Sequence, residues 1–235
     1  MALMVAGHIV VNPSVVIGLA TGDSPLGMYR ELVTLHRAYG LDFDRVTTFN
    51  LDEYCGLSPS HPQSYAHYMR HYFFSHVNLR PEHTHLLDGV APDQFAECIR
   101  YEEEIKQAGG IDLQILGIGR NGHIAFNEPG DHFQVRTGVF DLAEATRETN
   151  ARFFDRGETV PSRALSVGIG TIMKAREIVL IASGVEKAFA VAASILSPID
   201  PKLPASILKI HPNFTLLLDR AAARDFEGKD LSAYQ

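Results

Sequence analysis

The sequence is poor in positive charge. Its 21 lysines and arginines face 28 aspartates and glutamates, giving a formal net charge of −7 and a pI near 5.9. Nucleic acid and anionic membranes both require a basic surface, so neither is expected as a partner, and an anionic ligand has to be held by a local pocket. Cysteine is scarce as well: Cys55 and Cys98 lie far apart and form no CxxC or framework pattern. Reduced thiols in a cytoplasmic protein are the simplest reading. Cys55 sits beside candidate catalytic carboxylates, but no base is assigned to it, which argues against a nucleophilic role. The opening stretch MALMVAGHIVV lacks a basic n-region, and no apolar run reaches about 18 residues, so neither a signal peptide nor a membrane span is expected. No internal repeat or low-complexity tract stands out.

What is present is a rhythm. Apolar strand-like runs alternate with helical patterns along 235 residues, 46% of them hydrophobic, which suits one α/β domain with a sizeable core and a parallel sheet. Strands are predicted at 15–20, 46–49, 113–116, 177–182 and 213–219, with a strand and turn over 164–170, and 204–210 helps to complete the sheet. Helical spacing follows at 26–33, 64–76, 93–108 and from Val185. In 93–108, capped by Asp93, the expected inward residues are Phe95, Cys98, Ile99 and Ile105, with 102–104 as the wet face. The segment 148–162 is polar with an embedded Phe153-Phe154 pair and reads as a flap, and the last residues read as a short polar tail. His67 and His71 have the spacing of a metal pair, but Tyr68 stands where the HExxH zinc signature needs Glu. His83 and His85 share a strand face with no third ligand evident, so no metal is expected.

Four places carry candidate chemistry. In 113–130, LQILGIGRNGHIAFNEPG, a buried strand runs into Gly117, Gly119 and Gly122 and delivers Asn121, His123 and Glu128 at its carboxyl end, where open α/β sheets keep their sites. A His between an amide and a carboxylate reads as a proton-transfer centre or as a structural turn with a hydrogen-bonded ring. Strand 15–20 breaks at Thr21-Gly22-Asp23-Ser24-Pro25 before a helix, which is either an anion site built on free N–H groups and the helix dipole or an ordinary capped turn. Asp23 would repel a phosphate, so its side chain is expected to point away and it is left out of the site. The run FNLDEY places Asp52 and Glu53 at a strand end, where a general base or a bland hairpin is possible. Arg152 in the flap and Lys187 near a helix start are surface charges or phosphate ligands.

The string GIGRNGHIAFNEPG closely resembles the signature of the glucosamine-6-phosphate deaminases (glucosamine-6-phosphate isomerases), and FNLDEY matches that family's second motif. The likeness extends over roughly 15–219. It implies an open, mostly parallel Rossmann-like sheet flanked by helices with a small flap, the fold shared with 6-phosphogluconolactonases and ribose-5-phosphate isomerases. It also implies conversion of glucosamine 6-phosphate and water to fructose 6-phosphate and ammonia, without metal or redox cofactor. Asp52 takes the position of the enolisation base, and His123, oriented by Asn121 and Glu128, that of the ring-opening group. Thr21, Gly22 and Ser24, with Arg152 near the RFF string and Lys187 in SGVEKA, fall on the phosphate-binding positions. A lactonase would follow the Gly and His string with a different sequence, and a non-enzymatic sugar-phosphate sensor would be expected to lack the base or the His.

Two departures accompany the resemblance. Many relatives carry an extra strand before the first helix, so an edge strand is expected to be missing or replaced. Asn121 stands where some members have Asp, and an amide can orient His123 but cannot act as an acid. Some longer members are hexamers activated by N-acetylglucosamine 6-phosphate through segments at both chain ends. With little of either segment, a monomer or small homo-oligomer with hyperbolic kinetics is expected.

Overall fold

The computed structural model describes residues 1–229, and the end of the expected polar tail lies outside the described residues. In chain order the elements are α1 (Ala2–Val11), β1 (Val16–Leu19), α2 (Asp23–Tyr39), β2 (Thr47–Asn50), β3 (Asp52–Tyr54), α3 (Tyr65–Tyr72), β4 (Thr84–His85), α4 (Gln94–Gln107), β5 (Leu113–Leu116), β6 (Gly138–Asp141), α5 (Glu144–Ala151), β7 (Arg163–Ser166), α6 (Ile169–Ile172), β8 (Glu177–Ala182), α7 (Ala188–Leu196) and β9 (Phe214–Leu218). Six strands form one sheet in the order β4-β2-β1-β5-β8-β9, every pair parallel. The chain moves outward from β1 through β2 to β4, then returns to lay β5 on the other side of β1. That reversal makes the cleft between the carboxyl ends of β1 and β5 the switch point of a doubly wound sheet. All four residues of β1 and of β5 are buried, as a strand covered by helices on both faces requires.

A second, three-stranded antiparallel sheet in the order β3-β7-β6 stands at that same edge. The chain passes from one sheet to the other at Leu51, whose N–H donates to the Leu19 carbonyl and whose carbonyl accepts from the Val167 N–H. β3 is thus not the tail of β2 but a strand of its own. Around it Tyr54, Phe126, Leu142, Val160 and Ala164 form a small apolar cluster separate from the main core.

The α/β architecture is the one expected, with local differences. Helix α1 buries Ala2, Val5 and Ile9 in a stretch to which no element had been assigned. The flap begins earlier, as α5. Pro204–Ile210 winds into a 3-10 helix rather than joining the sheet, with Pro204 at a helix start where its missing N–H costs nothing. In α4 the inward face is Glu97, Cys98, Tyr101 and Ile105, while Phe95 is 75% and Ile99 56% exposed. Glu97 turns inward because its carboxylate accepts from the Asp88 N–H and pairs with Arg100, so a buried acid takes a place that periodicity alone gives to an apolar residue. Nor is 102–104 simply a wet face: one Glu102 oxygen accepts from the Thr137 N–H at 3.0 Å and from the Thr171 hydroxyl at 2.6 Å, fastening the loop before β6 to α6. Among the described residues no helix is long and apolar enough to cross a membrane.

Candidate active site

The turn after β5 is built by its own backbone. Gly119 N–H donates to the His123 carbonyl at 2.9 Å and Gly122 N–H to the Gly119 carbonyl at 3.0 Å. A Cβ at Gly119 would lie 2.3 to 2.5 Å from three atoms of the His123 ring, so only glycine leaves the imidazole its place. Ala125 adopts φ 50, a left-handed conformation that costs a non-glycine residue on the order of 1 kcal/mol and is held by what surrounds it. The buried Asn127 side chain donates to the Ile124 and Val167 carbonyls, and Phe126 N–H to the Ser166 hydroxyl, which ties the turn to the end of β7.

Inside this cradle His123 Nδ1 lies 3.3 Å from Glu128 Oε2, an ion-pair distance without hydrogen-bond alignment. Asn121 bridges the two: its Nδ2 donates to Glu128 Oε2 at 2.8 Å, and its Oδ1 accepts from the His123 N–H at 3.2 Å. Burial pushes the Glu128 carboxyl up, but His123, with smaller help from Thr146 and Asn121, more than offsets this and leaves it below its ordinary value. Glu128 is therefore a standing anion beside the ring.

Asp52 and Glu53 are neighbouring buried acids with different surroundings. Glu53 accepts from the backbone N–H groups of Tyr54, Tyr65 and Ala66, each at 2.9 Å, the latter two being the opening of α3. Burial raises its carboxyl to about 7, against the pull of those bonds. Alternation along β3 turns Asp52 the other way, into the cavity. Burial first, and the charge of Glu53 second, raise Asp52 to about 8. Glu53 thus has a structural job, whereas the Asp52 carboxyl faces the cavity.

Thr21, Gly22 and Ser24 line the cavity where β1 meets α2, with Gly22 at φ 94 ahead of the helix's first N–H groups. The Tyr29 hydroxyl donates to the Ala20 carbonyl and the Tyr68 hydroxyl to the Gly22 carbonyl, both at 2.6 Å, which anchors this loop from α2 and α3. Lys187, just ahead of α7, donates from Nζ to the Ile118 carbonyl at 2.7 Å. Burial, and more weakly Arg120 and Arg152, lower its ammonium pKa. Arg152 ends α5 with its guanidinium 4.5 Å from the Phe153 ring centre. Asp23 does not turn away from the site: it lines the cavity and accepts from Arg152 Nη2 at 2.6 Å.

One cavity of about 490 Å³ brings together Asp52, Asn121, His123, Thr21, Gly22, Ser24, Arg152 and Lys187, with Glu128 behind His123. Sequence reasoning passed over Arg120, Tyr65 and Ala125, which share its walls, and placed Phe153 only in the flap. Arg120 stands inside the glycine string, where a cation beside candidate catalytic groups was a usable signal; Ala125 carries none, since its backbone alone is unusual. His67 and His71 stack 6.0 Å apart, and among the described residues no cluster of three or more His, Cys, Asp or Glu could hold a metal ion.

This geometry has counterparts. Residues 2–216 match the profile of the family described as glucosamine-6-phosphate isomerases/6-phosphogluconolactonase. A glucosamine-6-phosphate deaminase of Halothermothrix orenii is 52% identical over 222 residues, 94% of this chain and 92% of the relative. Among solved structures, a monomeric glucosamine-6-phosphate deaminase superposes with a TM-score of 0.93 at 46% identity, covering 95% of this chain and 93% of that one. A 6-phosphogluconolactonase of Thermotoga maritima shares the fold, with a TM-score of 0.70 at 19% identity over 92% of this chain and 94% of that one.

Proposed function

Because the chain belongs to the family of glucosamine-6-phosphate isomerases and 6-phosphogluconolactonases, we propose that its cavity deaminates glucosamine 6-phosphate, releasing fructose 6-phosphate and ammonia. The observation that carries the reading is the division of the cavity: a raised, unpaired carboxyl at Asp52 and the His123–Glu128 pair lie at the strand ends, and the cations Lys187 and Arg152 line the same space. An acid–base reaction on a phosphorylated sugar needs both halves.

The closed pyranose must open before its C2 hydrogen becomes acidic. His123 moves a proton from O1 to O5, and the C1–O5 bond breaks to leave an aldehyde at C1. Glu128 sets a carboxylate 3.3 Å from the ring through which this transfer passes, and Asn121 keeps the two groups in register. Asp52 then takes the C2 proton to give an enol-type intermediate, and returning that proton to C1 leaves an imine at C2, which water hydrolyses to the ketose and ammonia. C1 is reduced as C2 is oxidised, so electrons balance within the substrate. A carboxyl raised to about 8 suits both halves of this shuttle, because proton transfer is most efficient when the catalytic pKa is close to the working pH.

A cytoplasmic location fits a phosphorylated substrate and two buried free thiols. A monomer or small homo-oligomer is the assembly we propose; the relative at 46% identity is monomeric. The deciding assay follows ammonia release from glucosamine 6-phosphate with 6-phosphogluconolactone hydrolysis run in parallel. Ammonia with no lactonase activity is expected. Lactone hydrolysis alone would move the reading to the other branch of the family, and neither activity with retained sugar-phosphate binding would make the protein a sensor.

A further inference from the structure

In a chain of formal net charge −7, three cations, Arg120, Arg152 and Lys187, line the cavity together with four carboxylates, Asp23, Asp52, Glu148 and Glu186. Asp23 pairs with Arg152, and among the described residues no carboxylate forms an ion pair with Arg120 or Lys187. The three cations are not equally committed. Lys187 already gives a hydrogen bond to the Ile118 carbonyl, and Arg152 is held by Asp23 on one edge of its guanidinium and lies over Phe153 on its face. Arg120 has neither an ion pair nor a side-chain hydrogen bond among the described residues, although five N–H donors are available to it.

Its backbone is fixed. Arg120 follows Gly119 in the turn closed by the Gly119–His123 and Gly122–Gly119 hydrogen bonds, and it therefore rises from a backbone-braced turn beside His123. It lines the same cavity as Lys187, whose ammonium pKa is lowered first by burial and then, against the opposing charge of Glu186, by Arg120. Two cations without ion-pair partners among the described residues share one cavity with the loop that opens α2, a setting suited to a compact multiply charged anion.

We infer that Arg120 is a ligand of the substrate's phosphate, acting with Lys187 from the sheet side of the cavity while Arg152 closes on the same group from the flap. The inference rests on the phosphate reading of this pole. Arg120 pairs with phosphate oxygens as a planar donor, and Asp23, by occupying Arg152, leaves Arg120 as the cation with most donors to offer.

The test uses R120Q, R120K and K187A in the full-length enzyme, with steady-state kinetics on glucosamine 6-phosphate, competitive inhibition by inorganic phosphate, and inhibition by unphosphorylated glucosamine. In R120Q, KM and the phosphate inhibition constant should each rise about 10-fold, the amount expected for one charge-assisted contact. R120K should recover part of the loss, and the glucosamine inhibition constant should move less than 2-fold, roughly the noise of such comparisons. A fall in kcat, or a weaker hold on glucosamine, without a change for inorganic phosphate would show that Arg120 only shapes the His123 turn and would overturn the proposal. So would an unchanged KM in R120Q while K187A raises it. If K187A and R120Q both leave phosphate inhibition unchanged, the phosphate pole itself is misassigned, a separate failure that the K187A arm reveals.

Discussion

The turn after β5 and the flap around α5 face one cavity, yet they are held in opposite ways. In the turn, backbone hydrogen bonds close the loop and a buried amide staples it to the neighbouring sheet; even the glycine under the imidazole has no substitute. In the flap, side chains make the attachments: Asn150 donates to the Tyr54 hydroxyl at 2.8 Å, Phe154 meets the Tyr54 ring edge-on at 5.8 Å, and Arg152 and Asp23 pair while both are more than half exposed. The division follows from what each part has to do. Proton transfer fails when a hydrogen bond is a fraction of an ångström or some tens of degrees out, whereas attraction between charges weakens slowly with distance. On the proposed reading, groups that exchange protons belong on the sheet, and a cation that only has to reach a phosphate can ride on a loosely fastened segment.

If this contrast is right, the largest effect comes from the sheet side. Asp52→Asn should lower kcat by about 10³ or more, at the upper part of the range for a positioned acid–base group, and should abolish solvent exchange of the C2 hydrogen while substrate still binds. Exchange at the parent's rate in this variant would remove Asp52 from its role. The same substitution should also change stability, with a sign set by the raised pKa. A carboxyl raised from 3.8 to about 8 keeps its proton when folded while the unfolded chain has already lost it, so its contribution is full below pH 4 and is lost as pH climbs to 8. The amide that replaces it cannot ionise. The melting temperature of the variant relative to the parent should therefore rise between pH 5 and pH 8.5, and a difference constant across that span would contradict the buried, ionisable assignment.

Gly119→Ala breaks the same side through its backbone. The added methyl meets the His123 ring, which has to swing away from Glu128, and activity should fall by about 10², comparable with loss of the general acid–base group itself. His123→Gln supplies the scale. If the alanine variant retained the parent's turnover, the tight fit under the ring would have no catalytic meaning.

On the flap and the cation pole the expected losses are smaller and fall on KM. Lys187→Ala, which removes a half-buried ammonium, should raise KM by about 30-fold, and Arg152→Ala, whose guanidinium is largely exposed and screened, by about 10-fold or less. A larger effect at Arg152 than at Lys187 would reverse the ranking and make the flap the principal phosphate holder.

How far the sequence disclosed all this differs between the two regions. The sheet side was legible, because a glycine string, an amide, a His and a Glu must fall in a fixed order for a short turn to present them, and spacing survives in one dimension. The second sheet was not legible: β6 has an ordinary alternation, and the pairing of Asp52 with Ser166 across β3 and β7 joins residues far apart in the chain. Asp23 was judged by its charge against a phosphate alone, and its partner Arg152 arrives from 129 residues further along the chain. The inward face of α4 was misjudged because hydrophobic spacing cannot register a buried Glu97 whose partners lie elsewhere.

The smallest effect should come from the flap's outer fastening. Glu158 lies 3.3 Å from His61 through one oxygen and accepts from the Asp155 N–H at 3.2 Å through the other, and it is substantially exposed. Exposed pairs of this kind contribute about 0 to 1 kcal/mol, because two side chains lose freedom to make an attraction that water and salt weaken. In Glu158→Gln the amide oxygen can still accept from the Asp155 N–H, so only the charge facing His61 is lost. The flap should then sample open positions more often, and the cost appears as a rise in KM of no more than about 3-fold, the rate-constant equivalent of well under 1 kcal/mol, with kcat unmoved since Asp52 and His123 sit on the other side of the cavity. Raising the salt concentration should give the parent enzyme much the same small shift and the variant almost none. A fall in kcat beyond about 10-fold in Glu158→Gln, more than an exposed pair can supply, would mean that the flap's outer edge helps to align the reacting groups, and the separation between a rigid chemical side and a loosely fastened recognition side would no longer hold.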